Sequence, residues 1–290
     1  MKFRQSLAGW LFMTPFLLVA FAFLIAPLGY ALYLSTQTDT LVGGVEFVWL
    51  ANYKESLTDP IFIDGVRRVL IFGLLQIPVM LSLSIAGALM IDAIQTKLSR
   101  VFRLIAFMPY AVPGVVAALM WGFLYSKSFG PFVGIFVKLG LTDFNFFTPS
   151  AFIYSMANIV TWAWTGYNMI IIYSALQGLP REMYEAAIVD GASQLQIAIK
   201  VKIPAIKNAI LLTLIFTIIG TMQIFTEPKV LARYTNAVSA GYTPNIYSFN
   251  LAFAQSQFNY SAAVSFTLAI VVFILTAVVL TVTRRKAKNS

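Results

Sequence analysis

Leu179-Pro180-Arg181-Glu182-Met183-Tyr184-Glu185-Ala186-Ala187-Ile188-Val189-Asp190-Gly191-Ala192-Ser193 is a polar interval between two long apolar runs. Pro180 suits the first position of a helix, where its missing N–H would have no partner anyway. Glu182 falls in the first turn, where the helix dipole favours an acid. Gly191 suits the stop, because glycine takes a left-handed backbone without penalty. The interval therefore reads as a helix of about three turns lying outside the apolar segments on either side. Ala186, Ala187 and Gly191 are small enough to let another backbone approach closely.

The apolar runs flanking this interval set the fold class. About 20 apolar residues are needed to cross a bilayer as a helix. Six stretches qualify: Trp10 to Leu34, Val69 to Ile91, Leu104 to Tyr125, Ala151 to Leu176, Asn208 to Phe225 and Ala262 to Val282. None contains Asp, Glu, Lys or Arg. The 290-residue chain is 59% hydrophobic and 11% charged, against about 25% charged for an ordinary soluble domain. So large an apolar excess cannot be hidden in one water-soluble core, and lipid must solvate much of it. The expectation is an all-α polytopic membrane protein with six transmembrane helices, forming one transmembrane domain over residues 1–290. The first run is too long for a signal peptide and lacks a small-residue cleavage site, so it reads as a retained span. Pro131 to Leu141 is apolar but too short to cross, and reads as a helix lying on the membrane surface.

Lys and Arg orient the spans, because cytoplasmic loops hold the excess of basic residues. With both termini inside, 13 of the 20 basic residues are cytoplasmic and 7 are not. The inner set is Lys2, Arg4, Lys97, Arg100, Arg103, Arg181, Lys200, Lys202, Lys207, Arg284, Arg285, Lys286 and Lys288. Arg67 and Arg68, beside an outward span end, run against this pattern. The same excess accounts for the net charge of +9 without nucleic acid. Cysteine and histidine are absent, which excludes disulfides, thiolate or imidazole metal sites and a histidine base.

The interval then acquires a specific resemblance. Glu185-Ala186-Ala187, Gly191, Val201, Ile203 and Pro204 resemble the EAA loop of ABC-importer permeases: Glu-Ala-Ala, three residues, Gly, nine residues, Ile, one residue, Leu-Pro. Every spacing is kept; Val201 replaces Ile and Ile203 replaces Leu. The string from Glu185 to Ser193 is similar to the carbohydrate-uptake branch, which includes the maltose-, lactose- and glycerol-phosphate-type subunits. Ala51-Asn52-Tyr53, Asp59-Pro60 with Phe62, Phe102-Arg103 with Pro109, Ile246-Tyr247 with Ala252-Phe253, and Tyr260-Ser261-Ala262-Ala263 extend the likeness over nearly the whole chain. It departs at Arg68-Val69, where the branch usually has Asn-Thr, and at Asn259, where a glycine is common.

The resemblance implies a type I ABC importer permease fold in a bacterial or archaeal plasma membrane. It further implies a coupling loop over about 179–204, in which Glu185, Ala186, Ala187, Asp190, Gly191 and Pro204 meet a separate ATPase and Glu185 makes the main polar contact. The implied partners are an ATPase dimer, a second homologous permease completing a heterodimer, an extracytoplasmic solute-binding protein and lipid. A homodimer of this chain is the alternative assembly. No G-x-x-x-x-G-K-[ST] occurs in the chain, so ATP and Mg would sit on the partner, with no cofactor or metal on this chain and no enzyme activity of its own.

Two further readings complete the expectation. Leu195, Ile197, Ile199, Val201 and Ile203 alternate with mostly polar residues, a strand-like period. The resemblance instead implies helix and then an extended approach to Pro204, and an isolated strand would leave backbone groups unpaired. In the fourth run Asn158, Thr161, Thr165 and Asn168 fall at offsets 0, 3, 7 and 10, one helical face, flanked by Trp162, Trp164 and Tyr167. Amides, hydroxyls and aromatic faces suit sugar hydroxyls and ring faces; the same residues also knit membrane helices together. Gln223 and Gln76 are candidates of the same kind. Absence of charge in the runs disfavours ion-coupled carriers and suits a neutral sugar. Competing classes are a uniporter without ATP, a membrane-embedded enzyme and a non-transporting scaffold.

Overall fold

A computed structural model of the chain describes residues 2–40, 43–93, 98–140 and 145–288, with side chains between residues 9 and 283 of those ranges. Lys97 and Leu141 lie outside the described residues, as do the side chains of Lys2, Arg4, Arg284, Arg285, Lys286 and Lys288. Along the chain, α1 (Lys2–Ala20) runs through a π-helical turn (Phe21–Ile25) into α2 (Ala26–Ser35). A hairpin of β1 (Gln37–Thr40) and β2 (Gly44–Phe47) follows, antiparallel with Gln37 opposite Phe47 and Thr40 opposite Gly44. Then come α3 (Ala51–Thr58), α4 (Pro60–Ala93), α5 (Leu98–Ala111), α6 (Gly114–Leu124), α7 (Pro131–Lys138) and α8 (Pro149–Gln177). After α9 (Glu182–Val189) and α10 (Gln194–Ile197), a second π turn (Ala198–Lys202) leads to α11 (Ile203–Ala205). The chain closes with α12 (Lys207–Met222), α13 (Thr226–Leu231), α14 (Pro244–Phe253) and α15 (Phe258–Lys288).

All six apolar runs fall on helix. Gly9–Ser35, Pro60–Ala93, Lys207–Leu231 and Phe258–Thr283 are long and apolar enough to cross a membrane, and α5 with α6 makes a fifth if the pair is one span. The 29-residue α8 carries no Asp, Glu, Lys or Arg; its Asn, Thr, Tyr and Trp residues make it less apolar than those. The run from Leu104 to Tyr125, expected as one continuous helix, is bent by 93°. Val112 and Pro113 cause the break: a proline pushes the residue before it out of the helical region, and Pro113 itself is extended at ψ 134°. Both π turns have a related origin. Pro27 and Pro204 each stand two residues past a π turn, which widens the helix where the proline has no N–H to give to the carbonyl four residues back.

The chain divides into two compact units, residues 1–64 with 244–271 and residues 65–243 with 272–290. In the first, polar side chains stitch helix to helix. Asn52 donates to the carbonyls of Ser35 and Gln37 at 3.0 and 2.7 Å, and the Ser56 and Thr267 hydroxyls meet at 2.7 Å. Asp59 accepts from the Tyr247 and Tyr260 hydroxyls at 2.5 and 2.9 Å. In the second, α5 crosses α8 at Gly166, where a Cβ would come within 1.7 Å of the Ala106 carbonyl oxygen; only glycine permits that approach. Ala88, Ile91, Met169, Ile172, Leu176 and Ile206 form an apolar cluster joining α4, α8 and the start of α12. Arg68, anomalous by charge placement, donates to the Tyr242 carbonyl at 2.7 Å and lies 4.7 Å over the Tyr242 ring.

Candidate functional site

The interval 179–193 is helical as expected but shorter: α9 has 8 residues, about two turns rather than three. It starts at Glu182 behind Arg181, so Pro180 precedes the helix instead of opening it. Glu182 and Glu185 occupy its first turn. At its end Gly191 has φ +79°; its N–H donates to the Ile188 carbonyl at 3.0 Å and Ala192 N–H to the Ala187 carbonyl at 3.0 Å. These two bonds close a Schellman motif, satisfying carbonyls the helix cannot. Ser193 at once begins α10 with a reciprocal capping box to Gln196. Two signals back to back make a fixed corner. No residue of α9 is buried; Glu185, Ala186 and Asp190 are exposed, Ala187 is half-buried, and Val189 is 87% exposed. Around Gly191 there is open space.

Past the corner the structure is helical, not strand-like. The extended approach to Pro204 is also absent: Pro204 is the middle residue of α11, and the π turn before it takes up the misfit. The alternation of Leu195 through Ile203 misleads because two helical segments of different pitch share it. Lys202, the last residue of that π turn, forms an ion pair with Asp92 at the end of α4, Nζ to Oδ2 2.5 Å. The other Asp92 oxygen accepts from Gln177 Nε2 at 2.8 Å, and Lys202 Nζ stands 4.7 Å from the Tyr184 ring centre. Burial pushes the Tyr184 hydroxyl pKa up, and the Asp92 charge adds to this.

The stripe on α8 is divided between two cavities. Asn168 lines a cavity of about 270 Å³ together with Gln76, Trp164, Tyr167, Gln223 and Glu227. Its amide donates to the Trp164 carbonyl at 3.1 Å. Asn158 lines a second cavity of about 690 Å³ with Trp121, Tyr125 and Phe146, and donates to the Tyr125 hydroxyl at 2.7 Å. Thr161, Trp162 and Thr165 line neither: Thr165 donates to the Thr161 carbonyl at 2.6 Å, and Trp162 packs edge-on against Trp121 at 5.7 Å. Tyr110, which sequence reasoning missed, stacks on Tyr167 at 4.5 Å.

Glu227 corrects the expectation of a charge-free path. It follows the fifth run by two residues, on α13, which carries the candidate span Lys207–Leu231 past a helical break at Gln223 to Phe225, and this half-buried carboxylate lines the Asn168 cavity. No Lys or Arg lines the cavity among the described residues. The fifth run as read from the sequence ends at Phe225 and so stops short of Glu227.

With this geometry in hand, comparison with known proteins places the chain. Residues 79–288 match the family of binding-protein-dependent transport system inner membrane components, and the chain belongs to that family. It is similar to the lactose transport system permease protein LacF of Rhizobium radiobacter, at 29% identity over 95% of this chain and 93% of that one. It is also similar to the trehalose/maltose transport system permease protein MalF of Thermococcus litoralis, at 27% identity over 98% and 96%. A crystal structure of a bacterial ABC transporter that imports the acidic polysaccharide alginate shares the fold, with a TM-score of 0.84, 19% identity, and coverage of 98% and 97%.

Proposed function

We propose that this membrane permease is one half of an ATP-driven sugar importer, with α9 the helix that docks on a separate ATPase. One observation carries the docking reading: a short helix with exposed Glu185, no buried residue of its own, and a glycine corner at its end. A helix that buries none of its residues in its own chain, yet is stopped and re-started so sharply, is built to be held by something else. Glu185 would meet the ATPase polar surface, while Ala186, Ala187 and Gly191 admit a close backbone. Asp190 and Pro204 would fix the two ends of the segment.

ATP and Mg would bind the ATPase dimer and not this chain. A second homologous permease would complete the pathway, and a solute-binding protein would deliver the sugar at the outer face, with both chain termini in the cytoplasm. The sugar path is the Asn168 cavity. Trp164 and Tyr167 offer ring faces, Asn168, Gln76 and Gln223 offer amides, and the lone carboxylate of Glu227 disfavours phosphorylated or uronate sugars. The sugar-transporting relatives support this substrate class. The test is purification through a tag on this chain: a second permease and an ATPase should accompany it. Glu185→Lys should then lose the ATPase from the complex while this chain still inserts. Retention of the ATPase at the unmodified level in that variant refutes the docking role.

A further inference from the structure

We propose that Asp92, Gln177, Lys202 and Tyr184 are positioning residues that form a clutch, making the α9–α11 segment move as one body with the adjoining ends of α4 and α8. The proposal rests on the docking role of α9 and says how a displacement of that helix reaches the spans. By its own packing α9 is poorly anchored, since it buries no residue. Backbone links it to α8 only through residues 178–181, and α11 joins α12 through Ile206. A force applied to α9 would deform these links unless side chains tie the segment down.

The tie is the Asp92 carboxylate, both of whose oxygens are used. Oδ2 receives Lys202 Nζ at 2.5 Å from the π turn beyond the coupling corner, and Oδ1 receives Gln177 Nε2 at 2.8 Å from the last residue of α8. Three elements therefore converge on one acid, and partners 110 residues apart meet. Tyr184 brings in α9 itself: its ring faces Lys202 Nζ at 4.7 Å and its hydroxyl points to the Leu176 carbonyl at 3.4 Å. The pair is not a loose surface bridge. The two side chains are 13% and 10% exposed, so salt screens them little, and the apolar cluster of Ala88, Ile91, Leu176 and Ile206 lies beside them on the same elements. Removing one partner strands the other charge in a nearly dry place, so the arrangement is held or lost as a unit.

Distance measurement between spin labels tests this directly. The chain has no cysteine, so Met90→Cys on α4 and Leu195→Cys on α10, both exposed, report the α4-to-coupling-segment distance. The complex of this chain with the ATPase that co-purifies with it is placed in lipid nanodiscs, without nucleotide and then trapped with ATP and vanadate. With the clutch intact, one narrow distance peak should persist in both states. In Asp92→Asn and Lys202→Met the peak should broaden or split on trapping while the ATPase still co-purifies, and the exchange Asp92→Lys with Lys202→Asp should restore one peak. Gln177→Leu keeps the ion pair and serves if the charge variants do not accumulate; it should broaden the peak to a smaller degree. A single unchanged peak in the variants, or a peak that already splits in the unmodified complex, overturns the clutch. Failure of any ATPase to accompany the unmodified chain is a separate result, which removes the docking role and the clutch with it.

Discussion

Two places on α8, Gln177 at its end and Asn168 within it, are nine residues or about 14 Å apart and treat polar groups in opposite ways. At the exposed Gln177 the amide, the Asp92 carboxylate and the Lys202 ammonium satisfy one another. At Asn168 the buried amide donates to the helix's own Trp164 carbonyl and to Met80 Sδ, and Gln76, Gln223 and Glu227 line the cavity beside it. A network closed on itself fixes a shape and transmits force. One that lines a cavity sets its polar groups around a space instead of around an ion pair. The same helix therefore carries both the end proposed to transmit motion and the face proposed to meet the solute.

Gly191 provides the severest test of the coupling end. Its φ of +79° means a side chain strains the backbone by about 1–2 kcal/mol, although nothing within the chain would clash with a Cβ there. Gly191→Leu should abolish sugar-stimulated ATP hydrolysis by the reconstituted complex, while the chain still inserts and its thermal unfolding falls only slightly. Stimulation at the unmodified level would mean that the corner plays no part in coupling.

Gly166 lies two residues before Asn168 on α8, and its replacement should disturb the helix that carries both places. Gly166→Ala must part α5 from α8, because backbone and not a flexible side chain stands in the way. A loss of at least about 3 kcal/mol is expected, visible as a lowered Tm or failure to accumulate; an unchanged Tm would show that the crossing is wider than described.

Within the stripe, the two asparagines should separate. Asn168→Leu should cut import by about 5-fold or more, a coupling-sized effect of roughly 1 kcal/mol, with ATPase association kept. Asn158→Leu gives up the bond to Tyr125 and should cost about 1 kcal/mol of stability with little change in transport. Equal import defects in the two variants would break the distinction between cavities.

The smallest effect belongs to a closed network in the other unit. Burial by itself would raise the Asp59 pKa, but hydrogen bonds from Tyr247, the Ile61 N–H and Tyr260 outweigh it and hold the carboxyl below its ordinary value of 3.8. A lowered folded value stabilises above the unfolded one and is lost as pH falls through the folded one. The contribution of Asp59 should therefore be complete at neutral pH and fade below pH 3.8. Asp59→Asn should flatten the acid limb of a stability-against-pH curve in that range; an identical acid limb in the variant would remove the clamp.

Local chemistry made much of this legible in the residues alone. Apolar runs without charge gave helices, because backbone groups in lipid must bond within their own segment. Pro180 and Gly191 delimited α9, since those residues act through their own dihedral angles. The spaced string from Glu185 to Pro204 marked the segment proposed to couple. Tertiary structure decided what depends on direction and on distant partners. Pro113 bent one run by 93°, although prolines inside α1 and α4 leave those helices continuous. The period-two alternation before Pro204 became helix because a π turn could absorb the proline. Asp92 and Lys202 sat in different loops and met only when α4 and the coupling segment came together. Glu227 lay outside every apolar run and came to line the cavity because α13 continues the span of α12 and packs beside α8. Sequence carries what a residue does to its own backbone; which charges meet, and which face a cavity, follows from where the chain returns.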